Sequence, residues 1–234
     1  MKNKKKLIKE KNPVKSVVVL SGGMDSAICL AMTIQKYGNP KFIRAISFSY
    51  GQRHEKELVA AKKIAKYFKV NHFVFKLPKL SLLTNNALTN HQQKIIGAST
   101  TMVVGRNGLF ARLAGIYAHE LKSLEIVLGV MGLEAANSGY RDCDRNYFDL
   151  MEKLLQKDFD NSKFKIKTPL VHKTKYESMY IAYKLKVLHF LLETTITCYK
   201  GIGKKGCMVC PACKLRNQGI AEFLHKHPSF QTNF

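Results

Sequence analysis

The residues best suited to bind a ligand or take part in a reaction lie near the amino end, in the sequence VVVLSGGMDSAIC at residues 17 to 29. Two adjacent glycines there follow an apolar run. Glycine allows positive φ angles and leaves main-chain N–H groups open to a ligand, and a helix that starts beside it adds its positive dipole end. Two serine hydroxyls supply further donors. We therefore predict a phosphate or pyrophosphate site at Leu20, Ser21, Gly22, Gly23, Met24, Asp25, Ser26 and Ala27.

The glycine turn differs from the two best-known phosphate motifs. No Gly-Lys-Ser/Thr follows it, as a Walker loop requires, and the Gly-x-Gly-x-x-Gly spacing of dinucleotide-binding turns is missing. GIGKKG at 201–206 lacks the preceding strand and the Ser/Thr, so we interpret it as a turn. Asp25 keeps two interpretations: a ligand for Mg²⁺ on the phosphates, or an acidic residue that favours the start of a helix.

Four clustered cysteines predict a metal site near the carboxyl end. They are Cys198, Cys207, Cys210 and Cys213, with the spacing C-x8-C-x2-C-x2-C. Four thiolates at such short spacing suit a tetrahedral structural zinc site. A [4Fe-4S] cluster is the alternative, because C-x2-C-x2-C also opens the ferredoxin run, but that run needs a further cysteine where this chain has Asn217. The pattern therefore favours zinc.

The two remaining cysteines lie apart from this cluster. Cys29 falls inside the first predicted helix, which indicates an ordinary buried thiol. Cys143 follows Arg141 and Asp142, and we interpret it as a pocket or packing residue, with nucleophilic catalysis as the alternative.

Alternating strands and helices must position these residues. Apolar, β-branched runs predict strands at 16–20, 41–49, 70–77 and 125–130, and helical patterns cover 27–37, 54–68, 107–122, 145–157 and 174–192. This alternation predicts an α/β fold with a doubly wound parallel sheet, whose ligands lie beyond the carboxyl ends of the strands. Residues 78–105 form a long polar connection, either a lid or a mobile loop.

The composition sets the expected organisation. With 234 residues, of which 46% are hydrophobic, we expect a basic tail at 1–15, a nucleotide-binding domain at 16–193 and a zinc-binding segment at 194–234. No apolar run approaches the roughly 20 residues of a membrane span, and no apolar signal-peptide core follows the basic start. We therefore expect a cytoplasmic protein with no membrane partner.

The net charge is strongly positive. The chain has 39 lysines and arginines against 16 aspartates and glutamates, which gives +23. Such a field attracts polyanions such as RNA, and anionic ligands such as nucleotide phosphates. Because the lysines are scattered along the chain, the charge alone identifies no partner.

The motifs together resemble one family. SGG-x-DS after a first strand resembles the pyrophosphate loop of the ATP pyrophosphatase group, whose members cleave ATP between the α and β phosphates. With the cysteine segment, nearly the whole chain is similar to the 7-cyano-7-deazaguanine (preQ0) synthases of queuosine biosynthesis. The matching segments are LSGGMDSAICL, YGQRHEKEL at 50–58, VGRNGLF at 104–110, SGYRDC at 138–143, TPLVHKTKYE at 168–177 and TCYKG with the cysteines. Val104, Arg141 and Ile196 depart from the residues usual in that family.

The resemblance implies a reaction and its participants. 7-Carboxy-7-deazaguanine, ammonia and ATP give the nitrile through adenylated intermediates, with Mg²⁺ and Zn²⁺ as metals. It implies catalytic roles for Asp25, Ser26, Lys175 and Arg106, and contacts with nucleotide or substrate for Arg53, His54, Tyr140 and Asp142. It also implies a homodimer that acts on a small molecule without binding nucleic acid directly.

Three alternatives remain open at this point. A tRNA-modifying relative in the same ATP group, such as a thiolase or lysidine-type synthetase, would benefit from the positive charge. A relative that transfers the activated deazaguanine to another acceptor would carry the same activation motifs. The third alternative is a nucleic-acid-binding module that is stabilised by zinc and has no catalytic activity, although the intact SGGMDS segment argues against it.

Overall fold

Five parallel strands form one sheet at the centre of the protein. The computed structural model describes residues 13–52, 55–89, 92–96, 98–132 and 139–232. The sheet contains β1 (Ser16–Val19), β2 (Ile43–Ser49), β3 (Asn71–Lys76), β4 (Glu125–Leu128) and β5 (Lys165–Lys167), in the order β3-β2-β1-β4-β5. This topology confirms the predicted doubly wound parallel sheet.

Helices connect and cover the strands. They are α1 (Met24–Tyr37), α2 (Lys56–Tyr67), α3 (Ala98–Thr101), α4 (Arg106–Glu120), α5 (Arg145–Asp158), α6 (Lys175–Lys184), α7 (Leu188–Thr194) and α8 (Pro211–Lys226). Single turns of 3₁₀ helix lie at Pro40–Phe42, Leu80–Leu82 and Arg141–Cys143. Among the residues described, no helix is both long enough and apolar enough to cross a membrane.

Both faces of the sheet are buried, and β1 shows how. The side chain of Val18 joins an apolar cluster with α1 and α7, whereas those of Val17 and Val19 join a second cluster with α4 and α5. A strand that is buried on both faces needs apolar residues at every position, which explains the unbroken run of β-branched residues. Packing on both faces fixes the position of β1, and the glycine turn begins at the carboxyl end of this strand.

Several elements differ from the sequence prediction, and two helices, α3 and α8, have no predicted counterpart. β5 is missing from the predicted strands because Ile166 is its one buried residue, between two exposed lysines, and three residues carry too short a pattern. The helical region predicted at 174–192 is two helices, because the chain turns at Lys186 with a φ of 58°. α1 begins at Met24, three residues earlier than predicted, with Gly23 as its N-cap.

The carboxyl-terminal segment packs against the rest of the protein. Proline at the first position of α8 is suited to start a helix, because its ring presets φ and the missing N–H has no partner there in any case. Ile220 and Phe223 of this helix belong to the apolar cluster that also contains Val18. The boundary predicted between residues 193 and 194 stays a prediction, since the segment beyond it shares this core.

Candidate active site

A cavity of about 420 Å³ opens at the carboxyl ends of three neighbouring strands. Its floor includes Val19 of β1, Phe48 of β2 and Leu128 of β4. In the order β3-β2-β1-β4-β5 the winding direction reverses between β1 and β4, and ligands of open α/β sheets bind at such a switch point. The cavity therefore lies where the fold favours a binding site.

One wall of the cavity is the glycine turn, stabilised by its own hydrogen bonds. We call Leu20–Ser26 together with Lys175 the phosphate-loop wall. The backbone N–H of Ser21 donates to Ser26 Oγ at 3.2 Å, and Ser26 Oγ donates to the carbonyl oxygen of Gly23 at 2.9 Å. The N–H of Gly23 donates to Ser21 Oγ at 3.3 Å. Both serines thus shape the turn, and the Ser26 hydroxyl already has partners inside it.

Two glycines allow backbones to approach each other at this wall. Gly22 has a φ of +89°, and a Cβ there would contact the backbone carbonyl oxygen of Glu57 in α2. Gly129, directly after β4, faces the start of α1, where an added Cβ would lie 2.5 Å from the backbone nitrogen of Ser26. Neither backbone can yield as a flexible side chain would, so both positions require glycine.

A buried ion pair lies at the mouth of the turn. Lys175 Nζ donates to both carboxylate oxygens of Asp25, at 2.6 and 2.8 Å, although 150 residues separate the two. The Lys175 side chain is 6% exposed and that of Asp25 is 25% exposed. A Cβ at Gly219 of α8 would contact the Lys175 side chain, so the carboxyl-terminal helix packs directly on this lysine. Lys175 thereby places its ammonium group at the start of α1, the end of a helix that favours anions.

Tyr50, Glu57, Arg106, Tyr140 and Asp142 form what we call the opposite wall. Arg106 Nη1 donates to the Tyr50 hydroxyl at 3.2 Å. Burial disfavours the charge on Arg106, but Tyr50 and Glu57, with Tyr199 and Asp142, raise the pKa of this guanidinium above its usual value. Burial raises the pKa of the Glu57 carboxyl to about 7, and the charge of Arg106 offsets part of that rise.

Two hydrogen-bonded groups hold the rest of this wall. The backbone N–H of Asn107 donates to Asp142 Oδ2 at 3.0 Å, which ties the Arg141–Cys143 turn to the start of α4. The Tyr140 hydroxyl lies 3.1 Å from that of Tyr199 and also hydrogen-bonds Thr101 Oγ1. The polar connection before α4 and the cysteine segment therefore meet at the cavity.

Cys143 lies at the cavity without the properties of a nucleophile. Burial, with a smaller contribution from Asp142, raises the pKa of its thiol to about 12. Its sulfur accepts a hydrogen bond from Asn107 Nδ2 at 3.3 Å. A thiol with so high a pKa is protonated at neutral pH, which favours the packing interpretation.

Most of the predicted site residues meet at this cavity. Leu20, Ser21, Gly23, Met24, Asp25, Ser26, Arg106, Tyr140, Asp142 and Lys175 all line it. Gly22 contributes backbone, and the side chain of Ala27 is fully buried in the core. Arg53 and His54 lie outside the described residues. The roles assigned to these residues stay predictions.

Sequence reasoning missed several residues of the cavity. Tyr50 and Glu57 lie in the quoted segment YGQRHEKEL, but nothing in their spacing shows that both reach Arg106. Gly129 carried a signal, because a glycine directly after a buried strand often marks close backbone approach. Gly219 carried none, since its contact with Lys175 depends on the packing of α8 against α6.

The four clustered cysteines converge as predicted. Their sulfur atoms all lie within 4.8 Å of one another, and a zinc–sulfur distance of 2.3 Å in a tetrahedron requires sulfurs roughly 3.8 Å apart. Burial raises the pKa of the Cys207 thiol, but N–H groups of Cys210 and Val209 outweigh it and lower that pKa to about 6. Gly206, with a φ of +70°, leaves the space that Cys213 Sγ occupies. The cluster is compatible with one bound metal ion.

Fold and site together define the class. A doubly wound parallel sheet with the turn SGG-x-DS directly after its first strand is typical of the PP-loop ATP-using proteins. Within that class the chain belongs to the QueC family, because residues 15–224 match the family described as "Queuosine biosynthesis protein QueC". The resemblance found in the sequence is thereby confirmed.

Relatives with assigned names cover nearly the whole chain. A 7-cyano-7-deazaguanine synthase of Staphylococcus epidermidis is 40% identical over 220 residues, which are 92% of this chain and 96% of the relative. The synthase of Lysinibacillus sphaericus is 37% identical over 221 residues, or 92% and 98% of the two chains. The family match at residues 15–224 includes both the phosphate-loop wall and the cysteine cluster.

Two solved structures resemble the chain more distantly. They are the U34-tRNA thiolase NcsA of Methanococcus maripaludis with its [4Fe-4S] cluster, at 18% identity, and the NMN synthetase of Francisella tularensis, at 16%. The TM-score is 0.48 in both cases; the alignments cover 96% and 94% of this chain, and 71% and 90% of the solved chains. Similarity at this level says nothing about the activity of the chain.

Proposed function

We propose that the protein is a 7-cyano-7-deazaguanine synthase. It converts 7-carboxy-7-deazaguanine, ammonia and ATP to the nitrile, and it releases AMP and pyrophosphate. One observation carries the proposal beyond family membership: the phosphate loop, the Asp25–Lys175 pair and Arg106 all open into one cavity. ATP and an acidic small molecule would share that space, as adenylation requires.

The chemistry explains why ATP is needed. Ammonia cannot displace oxide from a carboxylate, so the oxygen must first become part of a better leaving group. Attack of the carboxylate on the α-phosphorus of ATP forms an adenylate and expels pyrophosphate, and ammonia then displaces AMP. A second adenylation, on the amide oxygen, allows elimination to the nitrile. One phosphate site serves both activations.

Each wall has a proposed task. Negative charge builds on the departing pyrophosphate, and preorganised donors stabilise such charge most where water is excluded. The N–H groups of the turn and the buried Nζ of Lys175 fill this task at the phosphate-loop wall. On the opposite wall the partly buried Arg106 keeps its charge, which suits a carboxylate or phosphate oxygen. Tyr140 and Asp142 are proposed to contact the deazaguanine edge.

Two metals complete the proposal. Asp25 would hold Mg²⁺, which neutralises phosphate charge when bound, and Lys175 would then turn from the carboxylate to the phosphates. Cys198, Cys207, Cys210 and Cys213 would hold Zn²⁺ as a structural crosslink. Sulfurs within 4.8 Å of one another suit a single ion, which supports zinc over a four-iron cluster.

We also propose a cytoplasmic location. Free cysteines are typical of the reducing cytoplasm, and the six cysteines, all within the described residues, form no disulfide. A homodimer that acts on small molecules without direct nucleic-acid binding stays the prediction made from the resemblance.

A product assay tests the function. The purified protein is incubated with ATP, Mg²⁺, ammonium and 7-carboxy-7-deazaguanine, and product masses are followed. We expect the nitrile, with AMP and pyrophosphate as the nucleotide products. As the control, Asp25→Ala should lose turnover and keep its zinc. ADP and phosphate as products would contradict the mechanism, and a conjugate with an added amine would instead support the transfer of the activated group to another acceptor.

A further inference from the structure

One carboxyl group of the cavity has no role in the proposed adenylation. Glu57 lies in the first turn of α2, where its backbone packs against Gly22 of the phosphate loop, and it lines the cavity beside Tyr50 and Arg106. Its carboxylate has neither a hydrogen-bond nor an ion-pair partner among the described residues. A partly buried carboxyl group without a partner is costly for a fold, so a function is the better explanation.

The surroundings keep this group able to gain and lose a proton. Burial raises the pKa of Glu57 to about 7, and the Arg106 charge lowers it in part. The groups that face it are Tyr50, which follows β2, and Arg106, which starts α4; Asp25, Asp142 and Lys175 line the same cavity. A general base works best when its pKa lies near the working pH.

The other acidic groups of the cavity already have partners. Asp25 is bound by Lys175, and Asp142 accepts the backbone N–H of Asn107. The Cys143 thiol is held protonated by burial. Within the described part of the cavity, Glu57 is therefore the carboxylate that is free to accept a proton from a ligand.

The proposed reaction contains one reactant that needs such a group. At neutral pH ammonia is present mainly as ammonium, which has no lone pair and cannot attack an adenylate. The cavity also contains Arg106 and Lys175, whose charges repel a cation, so ammonium needs an anionic contact at the place where it enters.

We propose that Glu57 is the catalytic residue that binds ammonium and takes its proton, an inference that rests on the proposed function. Ammonium gives one proton to the Glu57 carboxylate. The freed lone pair forms the C–N bond at the carboxyl carbon of the adenylate, the C–O bond to AMP breaks, and AMP leaves with that electron pair. The second proton released by nitrogen passes to the phosphate oxygen of AMP, so charge and atoms balance.

The test separates adenylation from the use of ammonia. Adenylation is measured as ATP–pyrophosphate exchange that depends on 7-carboxy-7-deazaguanine, in the absence of ammonia. Amide formation is measured with ammonium, and also with hydroxylamine, which is largely neutral at the same pH and needs no base. The variant is Glu57→Gln, which keeps the shape of the side chain. Glu55→Gln is the matched control, because Glu55 is exposed at the start of the same helix and its side chain caps nothing.

We expect Glu57→Gln to impair the reaction with ammonia and to leave the reaction with hydroxylamine nearly unchanged. Glu57→Gln should lower kcat/KM for ammonia by about 100-fold, while pyrophosphate exchange and hydroxamate formation change by less than about threefold. In the unchanged protein, kcat/KM for total ammonia should rise with pH until the Glu57 carboxyl ionises, near its pKa of about 7, and then level off. In Glu57→Gln it should follow free ammonia over the whole range.

Three outcomes would overturn the inference. Ammonia use by Glu57→Gln at the unchanged rate would exclude a role as base. Loss of hydroxamate formation together with ammonia use would assign Glu57 to adenylation or to the fold. If the unchanged protein shows no exchange dependent on the deazaguanine acid, the proposed function fails, and the inference fails with it.

Discussion

The two walls of the cavity differ in where their contacts come from. In the phosphate-loop wall the hydrogen bonds of Ser21, Gly23 and Ser26 all lie within six consecutive residues. In the opposite wall the Arg106–Tyr50 bond joins residues 56 positions apart, and the Tyr140–Tyr199 bond spans 59. The side-chain hydrogen bonds of the turn form within one short segment, although its backbone also bonds Ile46 and Ile196, whereas the contacts of the opposite wall form only once the fold has assembled. We infer that the first supplies common phosphate chemistry and the second supplies substrate choice.

The Asp25–Lys175 ion pair joins this wall to a distant helix, and breaking it should have the largest effect. Lys175→Met removes the buried cation where the charge of pyrophosphate develops, so we expect the exchange rate to fall by about 10³-fold. Lys184→Met, at the exposed end of the same helix, is the control and should change nothing. If the walls act separately, calorimetry should find the affinity for 7-carboxy-7-deazaguanine unchanged. A large loss of that affinity would show that Lys175 also shapes the opposite wall.

The same contrast explains what sequence alone could predict. The glycine turn and the cysteine cluster are encoded by spacing over a few residues, and both were found together with the strands and most helices that carry them. Tyr50 and Glu57 were not assigned, because their proximity to Arg106 depends on how α2 and α4 pack on the sheet. Gly219 is the extreme case: its contact with Lys175 joins α8 to α6, and no local pattern indicates such a contact.

A pair of glycines tests how firmly the phosphate-loop wall is joined to α2. Gly22 and Gly105 both have positive φ, +89° and +70°, but a Cβ at Gly22 would contact the Glu57 backbone, whereas one at Gly105 has open space. Gly105→Ala should cost only the backbone strain, about 1 kcal/mol of unfolding free energy. Gly22→Ala adds a clash with a backbone and should cost roughly 3 kcal/mol. Urea unfolding measures both, and equal losses would mean that α2 moves away at little cost.

The smallest effect concerns the stability cost of the opposite wall. The pKa of Glu57 rises from 4.5 in the unfolded chain to about 7 in the folded protein. Between these values the folded protein binds more protons than the unfolded chain, so stability falls as pH rises through this range and stays low above it. The glutamine side chain does not ionise in this pH range, so it carries no such cost. Glu57→Gln should therefore be more stable than the unchanged protein at pH 8, by on the order of 2 kcal/mol.

The size of this stability difference depends on pH, which makes the effect specific to ionisation. At pH 5 the Glu57 carboxyl is largely protonated in the folded protein, so the advantage of the glutamine variant should shrink. Urea unfolding of both proteins at pH 5 and pH 8 gives the comparison, with the exposed Glu55→Gln as the control. An equal difference at both pH values would mean that packing, and not ionisation, is responsible. A larger difference at pH 8 would mean that the opposite wall trades stability for a base near neutral pH, as active sites often do.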